Sequence, residues 1–277
     1  MPISSELIEW NSDAVALGDN VTILYLGTGG FSNEDWVGSF YPAALKKTQW
    51  LEHYSQHFNA VEINSTFYGV PAQKTITGML ERSGERVLFC AKLHQSFTHD
   101  FTADAAAADR FKFTAAPLIE AGRLGALLAQ FPFSFKNTVD SRAYLVELAS
   151  WFAGVPLAVE FRHSSWDRDA VYQFLVDLGL GAVSVDLPVL EGLPKSVLRV
   201  GEYAYLRLHG RNAPNWFDGK TTADKHDYLY TPAELEPWAT ALHASKVAQA
   251  FVFFENTTRG QGLQNAREFQ ALWDALG

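Results

Sequence analysis

Eight short apolar runs, each closed by polar or charged residues, constrain this chain more than any other feature; they fall at 22–27, 60–64, 87–93, 126–131, 157–162, 182–186, 204–209 and 250–256. Their bodies carry apolar residues on both parities, the pattern of parallel strands buried on both faces. Helix-like stretches separate most of them, at 43–58 after Pro42, then at 72–82, 105–121, 141–152, 169–178, 232–246 and 263–276. Glycines close several of these, as at Gly84, Gly122 and Gly179, where a left-handed residue turns the chain toward the next strand. A strand followed by a helix, repeated eight times, predicts an α/β fold of the TIM type, a (β/α)8 barrel. The segment VLEGLPKSVLRVGE between the sixth and seventh runs is too broken by Gly and Pro for a long helix, so the barrel is expected to be irregular there.

At 277 residues the chain suits one such barrel, with a single domain at 22–277 and an N-terminal extension at 1–21. That extension carries Glu6, Glu9, Asp13 and Asp19 without a Lys or Arg, unlike a secretory signal. No apolar stretch approaches the roughly 20 residues that span a bilayer, and a cytoplasmic location without membrane partners is the expectation. The formal net charge of −9 sets an average field against nucleic acid. The one cysteine, Cys90, lies within RVLFCAK and is expected to pack rather than react. No feature fixes an oligomeric state.

A parallel barrel reacts at the carboxyl ends of its strands, so the polar run ends are where function is sought. Side chains two apart share a strand face. That parity groups Glu62 with Asn64, Lys92 with His94, Glu160 with Arg162, Ser184 with Asp186, and Arg207 with His209, while Gln130 and Asn256 close the fourth and eighth runs. Three carboxylates (Glu62, Glu160, Asp186) then stand among three cations (Lys92, Arg162, Arg207). The competing reading is a set of salt bridges that merely closes the barrel. Burying so many ions for stability alone is costly, which favours a ligand site.

Four ordered segments add a second line of argument: GTGGFSNEDWVGSFYP from Gly27, FNAVEINSTFYGVP from Phe58, AVEFRHSSW from Ala158 and YLRLHGR from Tyr205. Together they resemble the YecE-like family of bacterial and archaeal proteins, grouped as a domain of unknown function. The resemblance runs from about Ile23 to the carboxyl terminus and implies a TIM-type barrel. It marks Glu62, Asn64, Thr66, Phe67, Tyr68, Lys92, Glu160, Arg162, His163, Trp166, Asp186, Arg207, His209, Gly210 and Arg211 as family-typical, and it brings no reaction with it. Two departures stand out: GTGGFSN replaces the usual GTSGWSY, and Phe254–Glu255–Asn256–Thr257 replaces FNND. The second removes the basis for carrying over a second amide or carboxylate at the end of the last strand.

The expected ligand is a small, polar, anionic molecule, phosphorylated or sugar-like, that the protein binds and hydrolyses or isomerises. Glu62 and Glu160 would exchange protons, with His209 and Asp186 orienting them. Asn64, Tyr68, Lys92, Arg162, Trp166, Arg207, Arg211 and Asn256 would bind, the cations as donors to the anion. A metal cage of Glu62, His94, Glu160, Asp186 and His209 is disfavoured by the interleaved cations, and GTGG matches neither the P-loop nor the dinucleotide fingerprint, so neither metal nor cofactor is expected. The alternatives are an endonuclease-like, nucleic-acid-binding barrel and a non-catalytic ligand sensor. The longest irregular stretch, 210–231, would form a lid or binding loop over the mouth.

Overall fold

The computed structural model describes residues 22–277, so the proposed extension at 1–21 lies outside the described residues. Eight parallel strands run in the order β1 (Ile23–Thr28), β2 (Ala60–Ile63), β3 (Leu88–Lys92), β4 (Leu124–Gln130), β5 (Leu157–Glu160), β6 (Gly181–Asp186), β7 (Ala204–Leu208) and β8 (Gln249–Phe254). Around them lie α1 (Trp50–Tyr54), α2 (Gln73–Ser83), α3 (Gln95–Thr98), α4 (Ala105–Glu120), α5 (Val139–Trp151), α6 (Asp169–Asp177), α7 (Thr222–Lys225), α8 (Pro232–Ser245) and α9 (Gln261–Asp274). From β2 to β8 each strand pairs with its sequence neighbour, and β1 pairs with β8, as in an irregular TIM barrel.

The remaining seam, between β1 and β2, is bridged largely by side chains. Asn59 Oδ1 accepts from Leu26 N at 2.7 Å and its Nδ2 donates to Leu24 O at 2.8 Å, standing in for ladder bonds. Tyr54 donates to Ala60 O at 3.0 Å and accepts from Thr28 N at 2.9 Å. Gly27 is required here, because a Cβ would sit 1.9 Å from the Ala60 carbonyl oxygen. Above this, Gly30 N donates to Glu62 O at 2.8 Å, and the circle closes at the mouth.

One helix expectation differs. The stretch 43–58 is helical only over α1 and a 3-10 turn at Lys47–Gln49. Residues 46–49 are exposed throughout, so no apolar face compensates the backbone entropy of a longer helix. Between β6 and β7 the chain is irregular, as its Gly and Pro content predicts.

Two apolar layers result. The larger lies between strands and helices. The smaller fills the barrel with Ala60, Cys90, Ala126, Leu128, Ala158, Val183, Val185, Tyr205, Phe251 and Phe253. Cys90 is fully buried there. The inner layer also fixes which parity of each strand reaches the mouth. Among the described residues no helix is long and apolar enough to cross a membrane.

Candidate ligand site at the barrel mouth

Above the inner apolar layer the lining turns ionic, and Arg207 is its centre. The side chain follows Tyr205 on the inward parity of β7 and is 2% exposed. Its Nε and Nη2 donate to the two oxygens of Glu62 at 3.0 and 2.6 Å, its Nη1 donates to Glu160, and Nη2 lies 2.9 Å from Glu255 Oε2. Tyr205 donates a further bond to Glu62 at 2.7 Å. One guanidinium thus gathers three carboxylates, and its donors are consumed by them. Arg207 therefore organises the site instead of offering a free fork to an anion.

Arg162 stands two residues beyond Glu160 and shares its face. Its Nε donates to Glu160, and its Nη2 lies 3.2 Å from His209 Nε2. A guanidinium cannot accept, so toward Arg162 Nε2 acts only as an acceptor; the same Nε2 lies 3.5 Å from Glu160 Oε1, and Nδ1 is buried without a partner among the described residues. Burial, then Arg162, holds the His209 pKa well below its ordinary value. Burial pushes the Glu160 carboxyl up, but Arg162 and Arg207 outweigh it and hold the group well below the usual carboxylate range.

Lys92 enters from the end of β3, donates to Gln130 at 2.7 Å and lies 4.2 Å from the ring centre of Phe67. Burial, then Arg207, lowers its pKa to about 8. Asn64 reaches Glu255 at 3.5 Å through Nδ2, and its Oδ1 is buried and unpaired. Tyr68 is 77% exposed at the rim, edge-on to Phe67. Trp216 of the 210–231 loop is buried beside His209 and His226, with Lys225 5.1 Å from its ring centre. His226 donates to His209 O at 2.7 Å, and burial lowers its pKa to about 4.

The structure therefore brings together Glu62, Asn64, Lys92, Glu160, Arg162, Arg207 and His209, with Tyr68 at the rim. Five residues expected in the mouth lie outside it. On β6 the inward residues are Val183 and Val185, so Ser184 and Asp186 face the helices. Asp186 accepts from Arg211 at 2.8 and 2.7 Å, from Tyr230 at 2.8 Å and from Trp238 of α8 at 2.8 Å. Arg211 is spent on Asp186 and Glu234. Asn256 lies one residue past the inward position and ties Tyr228 O to Asn265 in the outer layer. Trp166 stacks on Phe161 at 4.2 Å and donates to Phe135 O.

The five residues of the disfavoured metal cage do not converge either, because Asp186 is outside and His94 turns away to accept from Ser96 N at the start of α3. Among the described residues no group of three or more His, Cys, Asp or Glu is arranged to hold a metal. His53 and His57, spaced i,i+4, lie outside the barrel against Phe40 and take no part in the mouth.

The residue that sequence reasoning missed is Glu255. It occupies the inward position after Phe251 and Phe253, where the family pattern gave no carboxylate to carry over. Gly29 makes room for it, since a Cβ there would fall within 2.6 Å of the whole carboxyl group. Counting parity from Phe251 would have found it, but Val252 and Phe254 make the opposite parity equally apolar.

Fold and site together define an irregular eight-stranded α/β barrel with a buried arginine–carboxylate cluster beneath a rim that carries Lys92 and Arg162. A family model described as protein of unknown function DUF72 matches residues 25–276, and the chain belongs to that family. It is similar to the UPF0759 protein YunF of Bacillus subtilis (strain 168), 28% identical over 271 residues that cover 91% of this chain and 95% of that protein. The UPF0759 protein YecE of Escherichia coli (strain K12) is 31% identical over 77 residues, 28% of this chain and 26% of that protein. Among solved structures, a DUF72 family protein of Thermotoga maritima MSB8 matches with a TM-score of 0.84 and 38% identity, covering 91% of this chain and 99% of that one. Another from Enterococcus faecalis V583 matches at 0.80 and 25%, covering 91% and 96%.

Proposed function

We propose that the barrel mouth binds a small polar anion, a phosphorylated or carboxylated molecule of about sugar size, and acts on it by proton transfer as a hydrolase or isomerase. One observation carries this reading: Lys92 and Arg162 stand at the rim of a buried ion cluster in which polar atoms are left without partners. Buried polar groups are nearly always paired, and one left unpaired in a charged mouth is a place for a ligand or water to complete. Among the described residues Lys92 has one hydrogen-bond acceptor, Gln130, and Arg162 directs only Nε and Nη2 to neighbours. The anion sits on these spare donors, above the Arg207 base plate. Glu62 and Glu160, fully buried and bound to arginines, hold the plate together, whereas Lys92 exchanges its proton near neutral pH.

Calorimetric titration with inorganic sulfate, phosphate and a panel of sugar phosphates tests the binding. Lys92→Met and Arg162→Met should each weaken it by about 10- to 100-fold, the worth of a charged hydrogen bond. Unchanged affinity in both variants would sink the assignment. Incubation of bound compounds followed by NMR reads turnover: a changed product supports the enzyme, and binding without product favours the sensor.

A further inference from the structure

Glu255 has a feature that no other carboxylate of the mouth shares. Its Oε2 faces Arg207 Nη2 at 2.9 Å and Asn64 Nδ2 at 3.5 Å, while Oε1 is buried with no hydrogen-bond partner among the described residues. Both oxygens of Glu62 and of Glu160, by contrast, accept from arginine. An ionised carboxylate offers only acceptors, and leaving one buried and unmet is costly. A protonated carboxyl turns the same atom into a donor, whose partner would be an oxygen brought by a ligand. Asn64 Oδ1, buried and unpaired as well, marks the same unfinished corner.

The surroundings favour the protonated form. The charged and titratable groups acting on Glu255 are Arg207 of β7, Glu62 of β2, Glu160 of β5 and Lys92 of β3, and Tyr54 of α1 also senses it. Burial raises its pKa, Arg207 opposes this, and Glu62 and Glu160 raise it further, to about 8. Two carboxylates already share the one guanidinium, so a third negative charge beside them is poorly compensated.

We propose that Glu255 is a ligand-binding residue of the mouth that works as a neutral carboxylic acid, donating a hydrogen bond from Oε1 to an oxygen of the bound anion. The inference rests on the reading of the mouth as an anion site. With Glu255 protonated, Arg162, Arg207 and Lys92 face only the charges of Glu62 and Glu160, which leaves one positive charge for the anion. Ionisation of Glu255 removes both the donor and that surplus. Above the pKa of Glu255 the anion therefore enters together with a proton.

Sulfate is the probe, because its own charge stays fixed over the range. Its affinity for the intact chain should fall as pH rises above about 8, approaching tenfold per pH unit for one linked proton. Lys92 loses its proton in the same range, so the comparison is made in a Lys92→Arg background. There Glu255→Gln, whose amide is a neutral donor at every pH, should bind sulfate about tenfold more tightly than its parent near pH 9. A second readout needs no Glu255 variant: at about pH 9, sulfate should add the infrared carbonyl band of a protonated carboxylic acid to the difference spectrum of the Lys92→Arg protein. Superimposable pH profiles with and without Glu255→Gln, or no such band on binding, overturn the proposal and leave the anion site standing. Failure of sulfate to bind at any pH overturns the anion site itself.

Discussion

Asp186 and Glu255 are both carboxylates at the ends of barrel strands, one facing the helices and the other the mouth, and they are finished to different degrees. Asp186 takes four donors, two on each oxygen, from Arg211, Tyr230 and Trp238. Glu255 has one oxygen on Arg207 and the other, among the described residues, on nothing. A buried polar network that is fully satisfied rigidifies the fold, and one left incomplete loses stability that only a ligand restores. Saturation thus separates a carboxylate that serves the fold from one that serves the site, where charge and burial do not.

The sharpest way to break this contrast is to remove Asp186. Asp186→Ala strands an arginine, a phenol and an indole in the outer layer, a loss of about 3–5 kcal/mol for a broken buried ion pair. Urea unfolding should show that drop, while the sulfate affinity of the folded fraction stays within about twofold, because the mouth meets Asp186 only through the backbone bond from His209 N to its carbonyl, which alanine keeps. A mouth that lost its ligand with Asp186 would mean that the two networks are one. Trp238→Phe is the milder cut, deleting one donor of four and leaving Asp186 paired. About 2 kcal/mol is expected for a hydrogen bond to a charged acceptor, read from the same unfolding curves.

The difference between these carboxylates also explains what was legible in the sequence. The barrel was, because parallel strands need apolar residues on both faces and polar residues where they emerge, and the chain repeats this at β1 through β8. Glu62, Lys92, Glu160, Arg162, Arg207 and His209 were legible for the same reason. Direction was not. In AVSVD of β6, polar residues alternate with valines, which reads as a polar interior, yet the valines fill the barrel and the polar parity meets Arg199, Arg211 and Trp238. On β8 the run FVFFE is apolar on both parities, so nothing in the residues chose Glu255 over Asn256. Those choices follow from the packing of side chains across the barrel axis, a long-range property that strand periodicity does not encode.

The pH dependence is the most telling, because it separates Glu255 from its neighbours without any ligand. A carboxyl whose pKa is raised in the folded state keeps a proton that the unfolded chain has released, so stability falls as pH rises from the ordinary 4.5 to about 8. Glu160, held below the usual range, has the opposite sign: its contribution is lost as pH falls below that range. His226, lowered from 6.5 to about 4, likewise gives up stability as pH falls through that interval. Glu255→Gln should therefore match the parent to within about 1 kcal/mol near pH 5, where the parent carboxyl is protonated, and become the more stable protein toward pH 8. The acid limb, to which Glu160, His209 and His226 contribute, should not move. Urea midpoints at stepped pH measure both limbs. Parallel curves from pH 5 to 8 would show Glu255 ionised throughout, a finished ion pair like Asp186, and the contrast between the two carboxylates would be gone.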